Sequence, residues 1–227
     1  MSYAIPSWDL PSIPINESED RFPVRRIYCI GRNYAAHARE MGADDREPPF
    51  FFLKPADALV QNGATIPYPP ATQNLHYEAE LVAAIGKSGS NIPVEAANEH
   101  DFGYAVGIDL TRRDLQESAK EMRRPWDMGK GFDASAPCSE VYPASSIGHP
   151  KKGSITLTVN GQIRQSGDIG DMIWNIPESI ACLSTLVVLE PGDLIYTGTP
   201  EGVGAVHRGE QIVVHVDNIC DLTLNIE

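Results

Sequence analysis

The chain has 227 residues, 42% hydrophobic and 22% charged, enough for one sizeable domain with its own core and too apolar for a disordered chain. Thirty-one acids against 18 Lys and Arg leave a formal charge of −13, a field that disfavours nucleic acid and anionic membrane surfaces. No apolar run approaches the roughly 20 residues that span a bilayer, and MSYAIPSWDLPSIP lacks the features of a signal peptide, so no membrane partner and a cytoplasmic location are expected. The four cysteines, Cys29, Cys138, Cys182 and Cys220, include no CxxC pair and read as reduced thiols rather than disulfides or zinc ligands.

Residues 1–23 are rich in proline and polar residues without a clear period, and read as an arm on the surface of the domain or of a partner; residues 24–227 read as a single catalytic domain. RRIYCIG (25–31) predicts a short apolar strand, and the alanine-rich NYAAHAREMG (33–42) a short helix ending at glycine. A charged loop ending in Pro48-Pro49 leads into a strand at FFFLKP (50–55); this loop with the preceding helix forms a candidate lid. LHYEAELVAAIG (75–86) and FGYAVGIDLT (102–111) predict further strands, followed by a polar helix at 112–124. Asn160-Gly161 between alternating segments predicts a hairpin with a type I′ turn. IPESIACLSTLVVL (176–189) predicts a helix with proline in its first turn, and DLIYTGTP and EQIVVHVDNICDLTLNIE close the chain as strands. The sum is a strand-rich α+β domain with few short helices and no βαβ rhythm.

Four groups of residues carry chemistry. Glu78 and Glu80 lie two apart in a predicted strand, so their side chains share a face among apolar neighbours. Asp109 ends a second apolar strand. Carboxylates held together out of water are unfavourable unless a cation neutralises them, and three oxygen ligands suit Mg²⁺ or Mn²⁺ with positions left for water and substrate. Two acids facing solvent is the alternative for an isolated Glu-x-Glu. His37 and Glu40, at i and i+3 of a helix, suit a general base with its orienting carboxylate, or equally a surface pair. Arg32, Arg113 and Lys130 lie near these elements and would offset the negative charge for an anionic substrate; a solvated helix face for Arg113 and a loop position for Lys130 stand beside that reading. The loop TGTPEGVG (197–204) follows a strand, and its backbone N–H groups with Thr199 suit a carboxylate, or its glycines serve a tight turn.

In order along the chain, GRNYAAHARE (31–40), LKPADALV (53–60), NLHYEAELVAAIGK (74–87), GYAVGIDLTRRDLQ (103–116), KGFDASAPCSE (130–140), LTVNGQIRQSGDIGDMIW (157–174) and LEPGDLIYTGTPEGVG (189–204) resemble the fumarylacetoacetate hydrolase family. The resemblance is strongest to its short members, which hydrolyse acylpyruvates and fumarylpyruvate. It implies a rolled mixed β-sheet, a homodimer, and metal-dependent cleavage of a carbon–carbon bond in a small anionic 2,4-dioxo acid, with pyruvate released. By position it implies Glu78, Glu80 and Asp109 as metal ligands and His37 with Glu40 as the water-activating dyad. It implies Lys130 and Arg113 as charge-stabilising groups and Gln116 and Thr199 as substrate-binding groups. Oxaloacetate decarboxylation or a related enol-forming isomerisation is the alternative on the same site, and a non-catalytic module that binds a divalent cation is the alternative outside enzymes.

Overall fold

The computed structural model describes residues 3–34 and 47–227. At its centre lies a curled eight-stranded mixed sheet. Its order is Phe50–Lys54, Arg26–Gly31, Asp193–Tyr196, Ala79–Ile85, Asp101–Ile108, Ala136–Cys138 and Leu59–Gln61, with Tyr142–Pro143 paired beside Asp101–Ile108. A second sheet of five strands runs Gln162–Asp168, Ser154–Val159, Gln211–Val216, Asp221–Ile226 and Thr65–Ile66. Helices are few among the described residues, the longest being Arg113–Glu121 and Ile176–Leu186. The strand-rich α+β expectation therefore holds. No helix among the described residues is long and apolar enough to cross a membrane.

Local chemistry explains the elements. Asn160 and Gly161 take φ of 50° and 76°, the left-handed pair that a type I′ turn requires between Ser154–Val159 and Gln162–Asp168. Helix Ile176–Leu186 begins with a capping box between Asn175 and Glu178 and carries proline in its first turn. It stops before Val187, which is extended. Along Ala79–Ile85 the alternation sorts residues between two cores: Leu81, Ala83 and Ile85 face the one that includes the five-stranded sheet, and Val82 and Ala84 face the other. Both faces are covered, so the whole strand is buried. The N-terminal segment contributes to that second core. Ser12–Pro14 pairs with Arg21–Pro23, and Ile13 and Phe22 between them are buried, while Tyr3, Ile5, Trp8 and Leu10 stay exposed.

One expectation is corrected. LHYEAELVAAIG is not one continuous strand; it breaks at Glu78. The chain changes partners there. Leu75–Tyr77 pairs with Thr111–Arg112 and Gly204–Ala205, whereas Ala79–Ile85 pairs with Asp193–Tyr196 and Asp101–Ile108. The break is closed by a hydrogen bond from the Asp109 N–H to the Glu78 carbonyl at 2.9 Å.

Strand ends converge around this break. Asp109 follows Asp101–Ile108, and the turn 197–199 follows Asp193–Tyr196, where Thr197 donates through its N–H and its hydroxyl to the Leu81 carbonyl. Asn33 braces the turn by donating to the carbonyls of Thr197 and Trp174. Gly198 has φ of +94°, and a Cβ there would lie 2.7 Å from Asn33 Cβ. Gly63 has φ of +81° with open space around it. Gly63→Ala thus incurs only the backbone penalty of roughly 1–2 kcal/mol. Gly198→Ala is expected to lower the unfolding free energy by more than that in a denaturant titration; equal losses would contradict the proposed close approach.

Candidate active site

Glu78, Glu80 and Asp109 each present a carboxylate oxygen within 4.8 Å of the others, and all three residues are buried. Ion pairs surround two of them. Lys130 Nζ lies 2.8 Å from Glu78 Oε2 and 2.6 Å from Asp109 Oδ2, and donates to the Thr111 hydroxyl at 2.7 Å. Arg113 donates to Glu78 Oε1 and, through its other terminal nitrogen, to Gln116 Oε1. Lys54 Nζ lies 2.8 Å from Asp109 Oδ1 and donates to the carbonyls of Leu110 and Lys130. Burial works against the Lys130 charge, but Asp109 and Glu78 outweigh it and hold its pKa above the ordinary lysine value.

Glu80 differs from its neighbours. Its Oε2 accepts the Gly198 N–H at 2.7 Å, and among the described residues no Lys or Arg forms an ion pair with it. Burial, then the charges of Asp109 and Glu78, push the Glu80 carboxyl well above the usual range. Asp109 Oδ1 is charge-paired to Lys54 yet has no directed hydrogen bond among the described residues, so a buried oxygen keeps acceptor capacity. With all three carboxylates ionised, Lys54, Lys130 and Arg113 balance them, and the deficit of positive charge is localised at Glu80. An all-oxygen donor set with an unsatisfied buried oxygen and one uncompensated carboxylate fits a hard divalent cation.

A cleft opens over this cluster. Its lining includes Arg32, Phe50, Phe52, Lys120, Trp126 and Thr199 beside Glu78, Glu80, Arg113, Gln116 and Lys130. Thr199 is positioned by Gln165, whose amide nitrogen donates to its hydroxyl at 2.8 Å while the amide oxygen accepts the Ala79 N–H. The loop amides expected to meet a substrate carboxylate are partly committed, since the Gly198 N–H serves Glu80. Arg32 stands at the end of Arg26–Gly31 with a left-handed φ of 58°, a conformation unusual for a residue with a side chain. The structure thus brings together Arg32, Glu78, Glu80, Arg113, Gln116, Lys130 and Thr199, and Asp109 joins them through the carboxylate cluster. His37, Glu40 and most of the candidate lid lie outside the described residues.

Two further residues escaped sequence reasoning. Lys54 is only 1% exposed, a burial that lysine tolerates only when paired. The one available signal was a lysine closing the aromatic strand FFFLK. Gln165, also 1% exposed, sits on a hairpin strand whose other residues are exposed or half-buried, and alternation there does not single it out.

Comparison with known proteins agrees with this geometry. The fumarylacetoacetate (FAA) hydrolase C-terminal model matches residues 26–227. Fumarylpyruvate hydrolase of Ralstonia sp is 49% identical over 180 residues, covering 79% of this chain and 93% of that protein. The mitochondrial oxaloacetate tautomerase FAHD1 of Homo sapiens is 40% identical over 203 residues, covering 89% of this chain and 92% of that one. Fumarylpyruvate hydrolase from Pseudomonas aeruginosa, solved in complex with Mn²⁺ and pyruvate, has a TM-score of 0.96 and 54% identity over 99% of each chain. The chain belongs to the fumarylacetoacetate hydrolase family.

Proposed function

We propose that this chain is a metal-dependent hydrolase that cleaves the C3–C4 bond of a 2,4-dioxo acid, releasing pyruvate and a carboxylic acid. The observation that carries the reading is the buried cluster of Glu78, Glu80 and Asp109 ringed by Lys54, Lys130 and Arg113. It is neutral by itself, so a divalent ion would leave a net charge of +2 at the floor of the cleft, which suits an anionic oxo acid. A similar chain solved with Mn²⁺ and pyruvate supports the same reading.

In this proposal Glu78, Glu80 and Asp109 hold Mn²⁺ or Mg²⁺. When bound, the ion supplies Lewis acidity where negative charge develops on the oxo acid. Lys130, kept charged by its carboxylate partners, adds a fixed positive charge beside that place, and its position is set before substrate arrives. Arg113, held by Glu78 and Gln116, and Thr199, held by Gln165, orient the acid. His37, backed by Glu40, is the proposed base that takes a proton from water attacking C4, a role worth about 10²–10⁴-fold in rate. The water oxygen bonds to C4, the C3–C4 bond breaks with its electron pair passing into the pyruvate enolate, and a proton returns at C3.

The same cluster stabilises the enol of oxaloacetate without any water attack, and a 40% identical relative is named an oxaloacetate tautomerase. His37→Ala separates the two readings. It is expected to suppress acylpyruvate hydrolysis far more than oxaloacetate enol–keto exchange; equal loss of both would assign His37 a general structural role. We also propose a homodimer, because Tyr3, Ile5, Trp8 and Leu10 leave an apolar run exposed on a single chain. A single-chain mass by light scattering would contradict it.

Glu80→Gln tests the metal assignment and the activity together. It removes the one uncompensated carboxylate, so metal-free stability should hold or rise. Mn²⁺ at 100 times its Kd should stabilise the wild type by about 2.7 kcal/mol, about 5–10 °C in Tm for a domain of this size, and should leave the variant unmoved. Pyruvate release from acetylpyruvate should depend on Mn²⁺ or Mg²⁺ in the wild type and vanish in the variant. Normal turnover by Glu80→Gln in EDTA would refute the assignment.

A further inference from the structure

The Arg113 guanidinium is held at three corners, and only one of the partners is charged. Its terminal nitrogens donate to Glu78 Oε1 and Gln116 Oε1, and its Nε lies 3.3 Å from His76 Nδ1. On the far side of the same imidazole, His76 Nε2 lies 2.8 Å from Asn74 Oδ1. His76 is half-buried in the middle strand of a three-stranded sheet, paired with Thr111 on one side and Ala205 on the other. It stands behind the cleft lining rather than in it. Neither metal binding nor substrate contact explains an imidazole at this place.

The proton positions follow from the arginine. An Arg Nε–H can only donate, so His76 Nδ1 presents a lone pair to it. A neutral imidazole with a bare Nδ1 carries its proton on Nε2, and that N–H meets the Asn74 side-chain oxygen. A doubly protonated ring would set N–H against N–H and positive charge against Arg113. Asn74 is itself fixed to the start of helix Arg113–Glu121. Its carbonyl accepts the Arg113 backbone N–H at 2.9 Å. Its own N–H donates at 3.0 Å to the Thr72 hydroxyl, which donates to Asp114 Oδ1 at 2.7 Å. A neutral acceptor fixes the direction of the guanidinium without cancelling its charge, whereas a carboxylate in the same place would add a fourth negative charge beside Glu78. Among the described residues, the bonds to His76, Gln116 and Glu78 leave Arg113 one N–H on each terminal nitrogen for an acid in the cleft.

We propose that His76, held in its Nε2–H tautomer by Asn74, is a positioning residue that fixes the plane of the Arg113 guanidinium and so the direction from which Arg113 meets the substrate acid. The inference rests on the hydrolase reading only for the identity of that acid. His76 touches neither substrate nor metal and acts entirely through Arg113.

Two measurements test it, one spectroscopic and one of binding. In ring ¹⁵N spectra of the Mg²⁺-loaded wild type at neutral pH, the resonances that His76→Gln removes should show Nε2 protonated and Nδ1 bare. Arg113→Met takes away the donor and should move the Nδ1 resonance. Calorimetry of oxalate binding to the Mg²⁺-loaded protein reads the consequence. His76→Leu should weaken oxalate about tenfold, the scale of one charge-assisted contact. His76→Gln, whose amide accepts from Arg113 and donates to Asn74, should restore most of that affinity. The double variant His76→Leu with Arg113→Met should bind oxalate no more weakly than Arg113→Met alone, because the histidine works only through the arginine. A protonated Nδ1 in the wild type overturns the proposal, as do oxalate affinity unmoved in His76→Leu, losses that add in the double variant, or a His76→Gln no better than His76→Leu. Failure of the wild type to cleave any 2,4-dioxo acid would overturn the hydrolase reading instead, and the spectra and the oxalate series would still decide the role of His76.

Discussion

Three carboxylates out of water, held against three cations also out of water, set the terms for the rest of this structure. Glu78, Glu80 and Asp109 would repel one another and favour protonation if left alone, and Lys54, Lys130 and Arg113 would be equally unstable without them. Removing one partner from a buried pair of this kind costs about 3–5 kcal/mol. The cluster is therefore a mutual arrangement in which each charge is retained because the others are present. Its asymmetry gives it chemical capacity. Two of the carboxylates are already paired, and the third, Glu80, has among the described residues only a backbone N–H from Gly198.

The fold supplies this arrangement by bringing strand ends together at a point where one strand changes partners. The break at Glu78 turns one acid out of the ladder, while Glu80 remains within it one residue into Ala79–Ile85. Asp109 arrives from the neighbouring antiparallel strand and Gly198 from the turn on the other side. Lys54 reaches Asp109 from the outermost strand of the sheet, Phe50–Lys54. Arg113 and Lys130 come from the helical segments that follow Asp109 in the chain. Because the sheet is buried on both faces, the site is built on rigid backbone, and the open side of the cleft is left to Arg32, Phe50, Lys120 and Trp126.

How much of this the sequence disclosed follows from the range of the interactions involved. Turns and caps are local, so Asn160-Gly161 and the proline-led helix at Ile176 were legible. The acids were legible because charge inside apolar text is rare. The strand break beside them was not, since it depends on pairing with Thr111–Arg112 and Gly204–Ala205, far away in the chain. Lys54 was missed for a similar reason: a lysine at a strand end reads as solvent-facing until Asp109 is placed beside it. Gln165 alternates with exposed residues on its strand, and its burial arises only from the return of the turn at 199–200.

In the proposed charge balance the three cations offset the carboxylates electrostatically, competing with the metal while preparing the cleft for an anion. Lys54→Met tests this most directly, since Lys54 touches Asp109 without lining the cleft. Calorimetry should measure Mn²⁺ binding first and then oxalate, a planar mimic of the pyruvate enolate, binding to the Mn²⁺-loaded protein. Opposite signs are expected: tighter Mn²⁺, because a competing charge 2.8 Å from Asp109 is gone, and weaker oxalate, because the net positive charge has fallen by one. Weakening of both together would contradict it, and would make Lys54 a scaffold for the Asp109 carboxylate rather than part of a charge balance.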